Sequence, residues 1–166
     1  MKYFLLFIIG FYSFEELNSQ TINLQWAKKA GSSLQDQGQS IALDPGGNVY
    51  IIGRFYGTSD FDPGPGIYNL TSNGGMDIFI LKLDALGNFA WAKKMGGPND
   101  DYGLGIEVDK LGNVFSTGYF LGTVDFNPGI GVYNLTSGGG GEHLYIQKLD
   151  ASGNFVWTKG IGCNTN

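Results

Sequence analysis

Apolar residues in this chain fall in short blocks separated by turn residues. Ser40-Ile41-Ala42-Leu43 is followed by Asp44-Pro45-Gly46-Gly47-Asn48, then by Val49-Tyr50-Ile51-Ile52. β-branched and aromatic residues on either side of turn chemistry predict a hairpin. Asp60-Phe61-Asp62-Pro63-Gly64-Pro65-Gly66 comes next, a stretch that no helix tolerates. Ile78-Phe79-Ile80-Leu81-Lys82-Leu83 predicts a third strand, Asp84-Ala85-Leu86-Gly87-Asn88 a turn, and Phe89-Ala90-Trp91-Ala92-Lys93 a fourth strand. In the third strand Ile78 and Ile80 face one way while Phe79, Leu81 and Leu83 face the other. Strands that are apolar on both sides belong to sheets covered on both faces. Helical periodicity is absent beyond the first segment. The pattern predicts an all-β chain of four-stranded units.

The units recur. Trp26-Ala27-Lys28-Lys29 returns as Trp91-Ala92-Lys93-Lys94, Gly47-Asn48-Val49 as Gly112-Asn113-Val114, and Tyr68-Asn69-Leu70-Thr71-Ser72 as Tyr133-Asn134-Leu135-Thr136-Ser137. Each offset is 65 residues (91−26, 112−47, 133−68). A further copy begins at Trp157. Within each unit both hairpin turns follow one formula, with Asp44, Asp84, Asp109 and Asp150 each standing three residues before a Gly-Asn pair. Aspartate bonds to backbone N–H groups two or three residues ahead, while Gly and Asn accept positive φ, so these aspartates are expected to serve as turn residues.

Tandem units of four antiparallel strands describe propeller blades. The runs Asp44–Phe55, Gly57–Gly64 and Lys82–Trp91, repeated at Asp109–Phe120, Gly122–Gly129 and Lys148–Trp157, resemble the SBBP family of bacterial β-propeller repeats. The resemblance extends from about Trp26 to Lys159. It implies a secreted or cell-surface propeller module and supplies no catalytic residues. Propellers usually close with four to eight blades. The pattern here gives two, with 21–39 as an edge strand completing a preceding blade, 40–97 and 98–162 as repeats, and 163–166 as a tail. The expectation is an incomplete propeller, a piece of a longer array or a unit of which several copies form one ring. Uncovered blades favour self-association.

Composition changes this picture in few places. Charged residues make up 15% and aromatics 14%, which is not a disordered composition. The 28 glycines cluster at turns, as in Gly46-Gly47, Gly74-Gly75 and Gly96-Gly97, without a collagen period. A formal net charge of −5 argues against nucleic acid as a partner. Lys2 and the apolar run Tyr3–Phe14, followed by a polar stretch to Gln20, read as a signal peptide over 1–20. The expected location is extracytoplasmic, secreted or at the cell surface. No other segment could span a membrane as a helix. Cys163 stands alone and cannot pair within the chain, so stability has to come from packing.

Candidate chemistry is sparse. Asp60 with Asp62, and Asp125 with Asn127, place two side-chain oxygens two residues apart in Asp-Phe-Asp/Asn-Pro-Gly loops. Calcium takes six to eight oxygen ligands, and such loops supply some of them. The bland alternative is a Pro-Gly turn held by an Asx hydrogen bond, with Phe61 and Phe126 anchoring the loop in the core. His143, the single histidine, aligns with Asp77 and is read as a solvated strand start. Asn69-Leu70-Thr71 and Asn134-Leu135-Thr136 match the glycosylation acceptor, and the repeat itself accounts for them. Trp26, Trp91 and Trp157 could stack on sugars, but a fixed place in a strand suits packing. The Gly-rich stretches lack the Lys-Ser/Thr and the helix of a phosphate loop. No catalytic residue and no cofactor is assigned. The leading expectation is an exported, non-enzymatic module that binds an extracellular ligand or protein or acts as a spacer. The rival is part of a propeller hydrolase or lyase with a metal or carboxylates at the channel.

Overall fold

The computed structural model describes residues 26–162. The expected leader over 1–20, the stretch 21–25 and the tail with Cys163 lie outside the described residues. Twelve strands run through the described residues, and none of those residues is helical. The first sheet has the order β1-β2-β5-β6, from β1 (Asp36–Leu43), β2 (Val49–Phe55), β5 (Asp77–Leu83) and β6 (Phe89–Met95). The second has the order β12-β11-β8-β7, from β7 (Tyr102–Val108), β8 (Val114–Phe120), β11 (His143–Leu149) and β12 (Phe155–Ile161). All neighbours in both sheets are antiparallel. The architecture is that of two consecutive propeller blades that do not close into a ring, as the pattern predicts.

Two details depart from the sequence reading. β1 begins at Asp36 rather than Ser40, because Asp36, Gln37 and Gly38 pair with Phe55, Arg54 and Gly53 across a bulge that the apolar pattern does not mark. Residues Trp26–Lys29 form no strand here; the chain joins the first unit through a single bridge from Gly31 to Asp60. The second unit repeats that bridge between Gly96 and Asp125.

Between the second and third strand of each sheet the chain makes a small two-stranded ribbon. In the first unit it is β3 (Thr58–Asp60) with β4 (Asn69–Thr71), and in the second β9 (Thr123–Asp125) with β10 (Asn134–Thr136). Thr58 and Thr71 share a hydroxyl hydrogen bond of 2.8 Å, and Thr123 and Thr136 one of 2.9 Å. The glycosylation-like triplets are thus the second strand of each ribbon.

Two-faced strands make two cores. For convenience the front of a sheet is the face toward lower residue numbers and the back the opposite face. The back of the first sheet carries Tyr50, Ile52, Ile78, Ile80 and Met95, all fully or almost fully buried against the front of the second, where Ile106, Val114, Phe120, Phe126 and Leu149 meet them. The front of the first sheet gathers Val49, Phe55, Phe61, Phe79, Leu81 and Leu83, with Trp26 and Ala30 laid over part of it. The sheets approach most closely where β1 and β2 meet β7 and open toward β6 and β12, the splay expected of blades around an axis.

Candidate functional site

The four Asp-x-x-Gly-Asn turns have one geometry. Asp44 Oδ1 accepts from the backbone N–H groups of Gly46 (2.9 Å) and Asn48 (3.0 Å), and its Oδ2 accepts from Asn48 Nδ2 (2.7 Å). Asp84, Asp109 and Asp150 repeat these three bonds with Leu86 and Asn88, Leu111 and Asn113, and Ser152 and Asn154. The Asn88 backbone N–H holds the Asp84 carboxyl below its usual range, the Asn154 backbone N–H does the same for Asp150, and the Asn113 side chain does so for Asp109. Burial opposes this at Asp44, where the Asn48 bonds outweigh it. The glycine alone takes positive φ, at 80°, 78°, 81° and 76° for Gly47, Gly87, Gly112 and Gly153. The asparagine, expected to share that role, instead donates its amide to the aspartate.

These turns also hold neighbouring units together. Trp91 donates Nε1–H to the Ala151 carbonyl (3.3 Å), and Trp26 donates to the Ala85 carbonyl at the same distance. Each indole lies on the Gly-Asn turn of the unit that follows it. A Cβ on Gly87 would come within 2.9 Å of the Trp26 ring, so this glycine is required twice, for φ and for the indole. The packing role expected for Trp26 and Trp91 is what the geometry gives. Trp157 has no following unit among the described residues and rests edge-on against Phe115.

Of the calcium candidates, Asp60 and Asp125 end the first strand of each ribbon and Asp62 and Asn127 lie in the loop that follows, and Oδ1 of each accepts from backbone N–H. Asp60 Oδ1 accepts from Asp62 N–H (3.0 Å) and Tyr68 N–H (2.9 Å), and Asp125 Oδ1 from Asn127 N–H (2.9 Å) and Tyr133 N–H (2.8 Å). Asp62 Oδ1 accepts from Gly64 N–H (2.7 Å), and Asn127 Oδ1 accepts from Gly129 N–H (2.9 Å). A neutral amide thus fills the same part as the carboxylate, so the task at this position is to accept a backbone hydrogen bond rather than to supply charge. Phe61 and Phe126 are buried anchors, each edge-on to the last phenylalanine of the sheet's second strand at 5.3 Å. No group of three or more His, Cys, Asp or Glu side chains that could hold a metal occurs among the described residues.

The least ordinary electrostatics lie elsewhere. Asp77 and Asp101 are fully buried near the junction of the two sheets. Burial pushes the Asp77 carboxyl up to about 7; the Asn73 N–H and Lys94 oppose it, and the Asp101 charge adds to it. Asp77 accepts from Asn73 N–H (3.1 Å), meets Lys94 Nζ only at 3.9 Å, and has no partner for Oδ1. Burial likewise pushes Asp101 up to about 6, against N–H bonds from Gly97 (2.8 Å) and Leu121 (3.1 Å). Both carboxyls are closed to solvent, so neither meets a dissolved substrate in this arrangement. The solvated strand start expected at the Asp77/His143 position is therefore a correction. The two residues stand opposite Phe55 and Phe120 respectively; Asp77 lies under the loop that enters its strand, and His143 is half-buried against the Phe120 ring with Nδ1 unpaired. Asp101 carried no motif in the sequence; only its place 65 residues after Asp36 marks it.

Open grooves lie on the sheet faces. One, of about 410 Å³, lies along β7 and the second sheet and is lined by Ser40, Ile106, Glu107, Phe115, Thr117 and Ile146. Another, of about 220 Å³, lies on the front of the first sheet over Ile51, Phe61, Phe79 and Leu81. A further one, of about 270 Å³, runs over Gly38, Gln39, Ser40, Ile41 and Ile51. In the first, no hydrogen bond joins Glu107 to the hydroxyls of Ser40, Ser116 or Thr117.

Residues 25–62 match the family model of the SBBP beta-propeller repeat, and that stretch is a repeat of this type. The chain is also 31% identical over 128 residues to an uncharacterised WD repeat-containing protein of Acanthamoeba polyphaga mimivirus. That alignment covers 68% of this chain, which spans only 9% of the relative's length.

Proposed function

We propose that this propeller-repeat module is exported and works without catalysis, as a spacer or as a binding surface for a partner outside the cytoplasm. The observation that carries this reading is how the repeated residues are used. The aspartates, asparagines, glycines and tryptophans common to both units are engaged in turns and in the contact between units. Where the units differ, as at Ile51/Ser116 and Leu81/Gln147, uncharged side chains replace one another on the sheet faces and in the grooves they line, and Asp77, at the differing Asp77/His143 position, is closed to solvent. A protein selected for a reaction would be expected to break its repeat with reactive groups around a cavity. The acidic balance and the apolar, weakly basic first segment support export and a non-nucleic-acid partner.

The test is protease shaving of intact bacterial cells producing the full chain, with fractionation alongside. Export predicts a protein absent from the cytoplasmic fraction and either shaved from the surface or recovered outside. Replacing Leu5 and Phe7 with Asp should retain it in the cytoplasm. Cytoplasmic accumulation of the unaltered chain would overturn the reading.

A further inference from the structure

The contact between the two sheets is a lock with two halves, and the chain carries a spare copy of each half. The back of the first sheet is one half; its counterpart on the second sheet consists of Phe115, Leu144, Ile146 and Ile161, offset by 65 or 66 residues from Tyr50, Ile78, Ile80 and Met95. The first-sheet residues are closed to solvent, whereas Leu144 and Ile146 are each 39% exposed and Ile161 is 51% exposed. The other half is the front of the second sheet, where Ile106 is 5% exposed; the matching Ile41 on the first sheet is 64% exposed.

Glycines say the same. A Cβ on Gly103 would collide with Ile52 (2.5 Å) and the Gly53 carbonyl (2.9 Å) of the facing sheet, whereas its counterpart Gly38 meets only Ile51 of its own sheet, at 3.5 Å. Gly75, two residues before Asp77, is pressed by the Asn99 backbone and Asp100; Gly141, two residues before His143, has nothing within 4 Å. Both positions carry a residue suited to close approach where no neighbour approaches. Charge also fits. Within the chain Asp77 stands near enough to Asp101 for one charge to raise the other. A joint between copies would put His143 in the place of Asp77 and Asp36 in that of Asp101, which removes the like-charge repulsion.

We infer that copies of this chain join head to tail, the back of the second sheet of one copy covering the front of the first sheet of the next, in the geometry of the contact inside the chain. This goes beyond the export and binding reading and does not depend on it. Such an interface is heterologous, and it closes into a ring when the rotation allows. Rings of two, three or four copies contain four, six or eight sheets, within the usual range for propellers. The Gly87 turn that would receive Trp157 of the preceding copy is held in the single chain by Trp26, so joining displaces that segment.

Sedimentation velocity on the full mature chain up to about 100 μM tests this, with Ile146→Asp and Ile41→Asp alone and mixed. Both side chains are exposed in the single chain, so both variants fold. The expected result is concentration-dependent oligomers of the unaltered chain and association at least ~100-fold weaker for each variant, because a charge would be buried without a partner. An equimolar mixture should form dimers, since one variant keeps an intact back and the other an intact front. Trp157→Ala should weaken assembly and Trp26→Ala strengthen it. A monomer throughout, a loss in only one of the two aspartate variants, or a mixture that stays monomeric would overturn the inference. So would the same direction of change in both tryptophan variants.

Discussion

The two sheets share a backbone plan and most of their turn chemistry, yet their back faces live in different surroundings. Ile80 lies in a closed apolar core, while Ile146, 66 residues later in the same place on the second sheet, lines an open groove. Stability is therefore unevenly distributed between units that look alike in sequence. In a stack each unit's stability is its own plus that of its contacts, so a residue's worth depends on whether its neighbour is present.

Paired substitutions break this comparison most directly. Ile80→Ala should destabilise the fold by about 2–5 kcal/mol, the range for an emptied core site. Ile146→Ala should cost under about 1 kcal/mol for the dilute single chain, as a partly exposed position. Urea unfolding at low protein concentration measures both, and equal losses would mean that the two faces are equally buried. Next in size, Gly103→Ala should cost roughly 1–3 kcal/mol by overpacking against Ile52 and the Gly53 carbonyl. Gly38→Ala should stay within about 0.5 kcal/mol.

pH sharpens the comparison at the Asp77/His143 position. The folded-state values of Asp77 and Asp101, about 7 and about 6, lie above the ordinary carboxylate value of 3.8. The native state keeps protons that the unfolded chain has released, so stability falls as pH rises from about 4 toward 7 and levels off above that. The expected result is a progressive fall in melting temperature over that pH range. Asp77→Asn should flatten the profile. The lowered carboxyls of Asp84, Asp109 and Asp150 act in the opposite sense, their contribution being lost as pH falls below 4. Smallest of all, added calcium should move the melting temperature by less than about 1 °C, because the Asp60 and Asp125 loops already spend Oδ1 on backbone N–H groups. A larger shift would show that Asp62 and Asn127 do more than end a turn.

The hairpins, the doubly apolar strands and the repeat were legible because each rests on local chemistry. Phe79 and Ile80 could be assigned to opposite faces from alternation alone, and the structure puts them in separate cores. The ribbons were not legible. Three residues are too few to show alternation, and threonine pairs and Asx bonds hold Thr58–Asp60 to Asn69–Thr71. Nor was the burial of Asp77 and Asp101, since a carboxylate carries no mark in sequence of the loop that will close over it. The asparagine of the turn formula was read for its backbone tolerance, whereas its backbone N–H and its side-chain amide both donate to the aspartate.

One consequence follows from the indole resting on the next unit's glycine. The turn that reverses the chain is also the seat for the unit before it, so repair or drift at either partner is felt by the other. Duplication or loss of a whole repeat leaves every such seat filled in the interior of the array, whereas an insertion of half a repeat would strand an indole and empty a turn. Length in this lineage can change cheaply only in steps of one full period, and the single-residue difference between the 65- and 66-residue offsets is absorbed in the glycine loop Gly138–Gly141, where no other group is crowded.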